Sequence, residues 1–214
     1  MVRAVIFDLD GVITETSIQH FEAWKAVAHM IGVEIDMTVN ESLKGVSRGE
    51  ALKVILKHGG ILGKYSEEEM EKICFCKNEY YKQLISQFTP SNVFEGVVEL
   101  FEYLRARSIK IAIGSASHNA PGLIKAMALE KYIDYIVNPY DVKRGKPAPD
   151  IFLKAADTLG AKPSDCIGIE DAVAGIKAIK DAGMYAIGIG DVEVLKAADV
   201  VFKSISEIDL NIIV

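Results

Sequence analysis

Short apolar runs alternate with helical patterns along most of this chain, and few folds accommodate that order. Runs typical of buried β-strands lie at residues 4–9, 110–115, 135–137, 166–169, 185–189 and 200–202. Helical patterns lie at 95–107, 121–127, 149–159 and 172–181. Strands that are apolar throughout and joined through helices predict a parallel sheet with both faces covered. The sequence therefore predicts the α/β fold class.

Residues 16–88 break this alternation, because they contain helical patterns and no convincing strand. The patterns lie at 17–31, 47–58 and 66–87, and glycines separate them. We expect an inserted helical domain at 16–88 and an α/β core domain made of residues 1–15 and 89–214. The insertion directly follows the first strand, so we interpret it as a lid over the carboxyl ends of the strands, where ligands bind in such sheets. Its hinges are expected near residues 14–17 and 89–92.

Composition limits the function classes that suit this chain. The net charge of −6 argues against a general nucleic-acid binder, whose binding surface is basic. No apolar run reaches the roughly 18 residues of a membrane span, and Asp8 and Asp10 interrupt the first apolar run too early for a signal peptide. The cysteines number three, so they do not form a disulfide framework. We expect Cys74 and Cys76 to be buried, reduced thiols of a cytoplasmic protein.

Acidic pairs follow two of the predicted strands. Asp8 and Asp10 end the first run and tend to point the same way, and Glu170-Asp171 follows the run at 166–169. Taken alone, the first pair suits a solvated acidic turn, an acid/base pair, a nucleophile with its acid, or a metal site. The second pair could simply interact with a helix dipole. If the two strands are neighbours, each close like-charged pair costs on the order of 4 kcal/mol, and Mg²⁺ best offsets that repulsion.

Two further strand ends carry groups that suit an anion. The run at 110–114 leads into Ser115-Ala116-Ser117-His118-Asn119, with Pro121 in the first turn of the next helix. Asn119 is a candidate N-cap, and the helix start predicts an anion site, although simple capping gives the same pattern. Lys146 lies in a loop with two prolines, which would order it toward a phosphate. A solvated loop lysine is the alternative.

Asp8, Ser115, Lys146 and Glu170-Asp171 each follow a predicted strand, and this order resembles the haloacid dehalogenase superfamily of phosphotransferases. The resemblance implies a Rossmann-like parallel sheet, and the helical insertion resembles the cap domain of that superfamily. Further segments resemble the sugar phosphomutases of the superfamily, and together they extend the resemblance over essentially the whole chain. These segments are 8–16, Thr16-x-x-x-His20-x-x-x-Trp24, 43–48, 115–117 and 168–171.

The resemblance implies roles for the residues at the strand ends. Asp8 would be the nucleophile that forms an aspartyl phosphate, and Asp10 would be the general acid and base. Mg²⁺ would be bound by Asp8, the backbone carbonyl of Asp10, Glu170 and Asp171. Ser115 and Lys146 would bind the oxygens of the transferring phosphoryl group.

The implied reaction is the isomerisation of β-D-glucose 1-phosphate to D-glucose 6-phosphate through β-glucose 1,6-bisphosphate, which would also act as the activator. A sugar-phosphate phosphatase on the same scaffold is the alternative, and a non-catalytic sugar-phosphate sensor is a third. We expect a monomer whose partner is a small sugar phosphate, with no nucleic-acid or membrane partner.

Substrate contacts are also implied. Arg48, Ser117 and Asn119 would bind the phosphate that is not being transferred. Thr16 and His20 would contact Asp10 and couple lid closure to proton transfer. The remaining expected contacts are Trp24, Gly45, Lys77, Ala116 and His118; Trp24 also suits packing, and Lys77 and Asn78 could instead be solvated. His118 replaces an expected lysine, and a neutral imidazole gives a phosphate less charge.

Overall fold

The computed structural model describes residues 1–43 and 46–213. Within these ranges, six strands form one parallel sheet in the order β3-β2-β1-β4-β5-β6. The strands are β1 (Ala4–Phe7), β2 (Lys110–Ile113), β3 (Tyr135–Ile136), β4 (Cys166–Glu170), β5 (Tyr185–Ile189) and β6 (Val200–Phe202). The predicted α/β class with a parallel sheet is confirmed.

The central strand β1 is fully buried and pairs with β2 on one side and β4 on the other. In this register Phe7 lies opposite Ile113 and Ile169. The chain segments that follow these three strands therefore start at the same edge of the sheet. This register places Asp8 beside the residues that end β4.

Helices cover both faces of the sheet. Neighbouring residues of β1 point in opposite directions, so Phe7 packs edge-on against Phe101, with ring centroids 5.0 Å apart, while Ile6 packs in a core cluster with Phe152 and Ile179. Phe101 lies on α5 (Val97–Ala106), Phe152 on α7 (Asp150–Leu159) and Ile179 on α8 (Val173–Asp181). The short helix α6 (Ala120–Ala126) follows the segment after β2.

The chain divides into two compact units, Met1–Glu15 with Phe88–Val214, and Thr16–Gln87. The described residues of the second unit form α1 (Ser17–Met30), α2 (Met37–Glu41), α3 (Arg48–His58) and α4 (Glu67–Ile85). Its core contains Trp24, Leu52 and Ile55. Ser47 and Ser66 cap α3 and α4 through their side chains, and Ser66 forms a capping box with Glu69.

Some element bounds differ from those predicted. β1 ends at Phe7 rather than at residue 9, and β2 ends at Ile113 rather than at residue 115, because turns begin there. The five-residue helix α2 was not predicted, since one turn and a half shows no clear periodicity. Each of the other predicted strands and helices ends within about two residues of its observed bounds.

The expected burial of the two helical cysteines is wrong for Cys76 and only partly met by Cys74. Cys76 is exposed and Cys74 is half-buried, since residues two apart on α4 point in different directions. Cys166 is buried, and all three thiols are free. In the described part of the chain, no helix has the length and apolar content needed to cross a bilayer.

Candidate active site

Three carboxylates lie together at the carboxyl edge of the sheet. Asp8 directly follows β1, Glu170 ends β4, and Asp171 comes next in the chain. One carboxylate oxygen from each lies within 4.8 Å of the others. Asp8 and Glu170 are buried and Asp171 is partly buried. The structure thus brings together the two acidic segments that lie far apart in sequence.

Lys146 lies among these carboxylates. Its ammonium Nζ donates hydrogen bonds of 2.6 Å to Asp8 Oδ1 and to Glu170 Oε2. Its side chain is 1% exposed, so the alternative of a solvated loop lysine is wrong. An ion pair joins the two sides of the loop that carries Lys146. The guanidinium of Arg144 donates two hydrogen bonds to the carboxylate of Asp150, which begins α7.

The charges in this group are not balanced by Lys146 alone. Burial, with repulsion from Glu170 and Asp10, raises the pKa of Asp8 to about 7, although Lys146 opposes the rise. Burial and repulsion from Glu170 and Asp8 raise the pKa of Asp171 to about 9. Burial alone would lower the pKa of Lys146, but attraction to Asp8 and Glu170 holds it above its usual value. Additional positive charge would therefore stabilise this cluster of carboxylates.

This donor set fits a hard divalent cation. Carboxylate oxygens are the ligands that Mg²⁺ prefers, and Asp8, Glu170 and Asp171 present them within bonding reach of one ion. A divalent ion carries two positive charges, which would offset the negative charge that Lys146 leaves unbalanced. Asp10 lies in the turn that follows Asp8, and its amide donates a hydrogen bond to Asp8 Oδ2 at 3.1 Å.

Two glycines leave space for the carboxylates. Gly11 has a φ of +82°, and a Cβ there would collide with the carboxylate of Asp171. Gly175 lies in the first turn of α8, and a Cβ there would collide with the carboxylate of Glu170. Glu170 Oε1 also accepts 3.1 Å hydrogen bonds from the amides of Asp171 and Ala172. Neither glycine had a predicted role, although a glycine near the start of a helix was a possible signal.

The turn that carries Asp10 is tied to a second segment of the same unit. Gly11 donates its amide to the carbonyl of Thr14 at 2.8 Å, and the Thr14 hydroxyl donates to the carbonyl of Asn92 at 2.7 Å. Thr14 also forms an antiparallel bridge with Val93. The two segments that were expected to act as hinges are therefore joined by hydrogen bonds.

The segment after β2 is organised by its own hydroxyls. Ser115 is buried and its Oγ accepts from the amide of Ser117 at 3.1 Å, while Ser117 Oγ accepts from the amide of Asn119 at 3.3 Å. Asn119 occupies the N-cap position of α6, as expected, but its side chain makes no capping hydrogen bond. Its backbone is helical rather than extended, which does not suit side-chain capping. Ala116 and His118 are partly buried in the same segment.

Within the helical unit, His20 and Lys77 form a buried pair. Lys77 is 3% exposed and its Nζ donates to His20 Nδ1 at 2.7 Å, so the alternative of a solvated Lys77 is wrong. The same ammonium lies 4.6 Å from the centre of the Tyr81 ring and 5.2 Å from that of Trp24. Burial, then repulsion from Lys77 and Arg48, holds the pKa of His20 well below its usual value. The lowered pKa favours the neutral form of His20, and an ammonium that donates to Nδ1 corresponds to the tautomer with the proton on Nε2.

The other site residues that were expected in the helical domain lie in different environments. Trp24 packs in the core of the helical unit, as its alternative role predicted. Arg48 donates from Nη2 to Asn78 Oδ1 at 2.8 Å, and so joins α3 to α4. Thr16 is buried, and its carbonyl accepts the amide of His20 at 2.9 Å. Gly45 lies outside the described residues.

The parallel sheet, with a buried aspartate after its central strand and a lysine and two acids beside it, is the arrangement of a phosphotransferase that depends on a divalent metal. The chain belongs to the haloacid dehalogenase family. A family model described as haloacid dehalogenase-like hydrolase matches residues 2–183.

Curated relatives extend this result. The chain is 44% identical over 212 residues to the β-phosphoglucomutase of Bacillus subtilis, covering 99% of this chain and 94% of that protein. It is 31% identical over 188 residues to a phosphorylated carbohydrates phosphatase of Thermotoga maritima, covering 87% and 84%. The crystal structure of β-phosphoglucomutase from Clostridium difficile matches with a TM-score of 0.97 and 42% identity, over 100% of this chain and 96% of that one.

Proposed function

We propose that this protein is a Mg²⁺-dependent phosphomutase that converts β-D-glucose 1-phosphate to D-glucose 6-phosphate. One observation carries the chemistry: Asp8 lies buried at the end of the central strand, hydrogen-bonded to Lys146 and grouped with Glu170 and Asp171. The full-length similarity to the Bacillus subtilis β-phosphoglucomutase supports the choice of substrate.

Asp8 is the nucleophile and Asp10 moves the proton. A carboxylate oxygen of Asp8 attacks phosphorus, the bond from phosphorus to the sugar oxygen breaks, and Asp10 gives a proton to that oxygen. When the phosphate at C1 of the bisphosphate reacts in this way, glucose 6-phosphate is released. Asp10, now a carboxylate, then takes the proton from the 6-hydroxyl of the next β-glucose 1-phosphate as that hydroxyl attacks the aspartyl phosphate, which frees Asp8 and forms the bisphosphate again. Asp10 lies two residues beyond Asp8 in a turn whose backbone hydrogen bonds fix its position.

The surrounding residues stabilise charge during transfer. Asp8, the backbone carbonyl of Asp10, Glu170 and Asp171 hold Mg²⁺, which when bound offsets the charge of the carboxylates and of the phosphoryl oxygens. Lys146 and the hydroxyl of Ser115 bind the phosphoryl oxygens. Because Lys146 is already held by two carboxylates, it loses little further freedom on binding the phosphoryl group.

Substrate recognition requires a second anion site, because the intermediate is proposed to be β-glucose 1,6-bisphosphate. Arg48, Ser117 and Asn119 bind the phosphate that is not being transferred. Thr16 and His20 couple closure of the helical domain, proposed at residues 16–88, to proton transfer at Asp10. Further substrate contacts are proposed for Trp24, Gly45, Lys77, Ala116 and His118. The protein is proposed to act as a cytoplasmic monomer.

A sugar-phosphate phosphatase is the second candidate, favoured by the 31% identity to the Thermotoga maritima phosphatase. In that reaction water takes the phosphoryl group from Asp8. Phosphorus NMR of β-glucose 1-phosphate with Mg²⁺ and a trace of the bisphosphate separates the two reactions. We expect conversion to glucose 6-phosphate. Steady release of inorganic phosphate without glucose 6-phosphate would establish the phosphatase instead.

A further inference from the structure

An exposed tyrosine stacks on a residue of the proposed anion site. The Tyr140 and His118 rings have centroids 4.2 Å apart and are inclined by 31°. The fold explains the contact, since β3 pairs with β2 and the segments that follow these strands lie side by side. His118 belongs to the segment after β2, and Tyr140 to the 3₁₀ turn Pro139–Asp141 after β3.

The turn holds Tyr140 in place. The amide of Tyr140 donates to Asn138 Oδ1 at 3.1 Å, and the amide of Asp141 donates to the carbonyl of Asn138 at 2.9 Å. Pro139 fixes one further backbone angle of the turn. The phenol ring is thus presented to His118 from a constrained backbone.

Packing into the core does not explain this tyrosine. Tyr140 is 79% exposed, so it buries little apolar area and gains little folding free energy through burial. What the ring does contact is His118, which is partly buried and lies between Ser117 and Asn119. The ring contact therefore points to a role in ordering that segment.

We propose that Tyr140 is a positioning residue that fixes the imidazole of His118 for binding the phosphate that is not being transferred. This inference rests on the proposed mutase function. A stacked imidazole has fewer rotamers to lose when an anion binds, so less of the binding free energy is spent on ordering it. Tyr140 acts through His118 and makes no hydrogen bond to the substrate.

The test is a mutant cycle on the intact enzyme, with β-glucose 1,6-bisphosphate as the varied activator. Tyr140→Ala should raise the KM for the bisphosphate about 3- to 10-fold, the range given by one aromatic contact, and leave kcat within about 2-fold. Tyr140→Phe keeps the ring and should behave as the wild type. Tyr185→Ala is the control, since Tyr185 is an exposed tyrosine at the start of β5, and it should change nothing.

The decisive arm repeats Tyr140→Ala in a His118→Ala background. If Tyr140 acts through His118, the second substitution adds no further rise in KM. An unchanged KM in Tyr140→Ala, or an equal rise in both backgrounds, overturns the inference while the mutase function stands. A wild type that makes no glucose 6-phosphate overturns the proposed function, and the inference with it.

Discussion

The ammonium of Lys146 lies 2.6 Å from Asp8 Oδ1, although the two residues are 138 positions apart in the chain. The pair is buried, and Lys146 also bonds Glu170 at the same distance. Among the described residues, the buried carboxylate of Asp8 therefore has Lys146 as its cationic partner and Glu170 and Asp171 as acidic neighbours. The contact partly neutralises the buried carboxylates, so its loss should affect both stability and catalysis.

Replacing Lys146 should harm both stability and turnover. Lys146→Ala leaves Asp8 and Glu170 buried without their cation, which typically costs about 3–5 kcal/mol in the free energy of unfolding. Loss of a charged group from the phosphoryl site should lower kcat about 100-fold or more. Urea unfolding and a coupled glucose 6-phosphate assay measure the two effects. Lys143→Ala changes an exposed lysine of the same loop and should leave both values unchanged; equal losses in the two variants would contradict the account.

Mg²⁺ should stabilise the protein more at pH 8 than at pH 6. The pKa values of Asp8 and Asp171 are raised to about 7 and about 9 in the folded, metal-free protein. The folded state therefore holds protons that the unfolded state has lost, and stability falls as the pH rises from about 4 through these values. Bound Mg²⁺ removes that penalty by replacing the protons.

Thermal melts with Mg²⁺ and with EDTA, at both pH values and constant ionic strength, measure this difference. Asp171→Asn should reduce the dependence of the Mg²⁺ effect on pH, because it removes the group with the higher pKa. A Mg²⁺ effect that is equal at the two pH values would contradict the proposed cation site.

Gly175→Ala should destabilise the protein, although alanine is usually favoured over glycine within helices. The added methyl group collides with the carboxylate of Glu170, so Glu170 must move away from its present position. We expect weaker Mg²⁺ binding and a lower free energy of unfolding. Gly122→Ala in α6 is the matched control, because a Cβ there meets no atom within 4 Å.

That control should gain roughly 0.5–1 kcal/mol of stability, the usual difference between the two residues. Calorimetric titration with Mg²⁺ and urea unfolding give both quantities. If Gly175→Ala binds Mg²⁺ as tightly as the wild type, Glu170 does not need its present position for the cation.

His20 should make the protein less stable in mild acid. Its pKa lies well below the usual value in the folded state, because burial and then Lys77 and Arg48 disfavour the charged ring. The unfolded state therefore binds a proton first, and stability is lost as the pH falls below about 6.5. His20→Gln should lose less stability than the wild type between pH 7.5 and 5.5 in urea unfolding. His58→Gln changes an exposed histidine and should keep the wild-type dependence; identical pH dependence in all three proteins would argue against a buried neutral His20.

The sequence predicted the sheet well because its strands are apolar along their whole length and the residues after them are polar. Periodicity also located the long helices. It could not reveal that β1 lies between β2 and β4, which is a long-range pairing, so the meeting of Asp8 with Glu170 stayed conditional until the sheet order was known. The five-residue α2 was too short to show a period.

Side-chain environments were harder to predict than elements. From the sequence, Lys77 is expected to lie on the surface. The residues next to it in the chain do not indicate that His20, Trp24 and Tyr81 surround its side chain. The stacking of Tyr140 on His118 has no sequence signal either, since it arises where two neighbouring strands end. Such contacts depend on tertiary packing rather than on local pattern.

In the proposed mechanism Asp8 accepts the phosphoryl group from C1 of the bisphosphate and passes it to C6 of the next sugar phosphate. Acid quenching during turnover of β-glucose 1-phosphate with Mg²⁺, followed by peptide mass spectrometry, tests this transfer most directly. We expect one phosphoryl group on the peptide that contains Asp8, and neither that group nor glucose 6-phosphate in Asp8→Asn. A phosphoryl group on another residue, or wild-type turnover by Asp8→Asn, would contradict it.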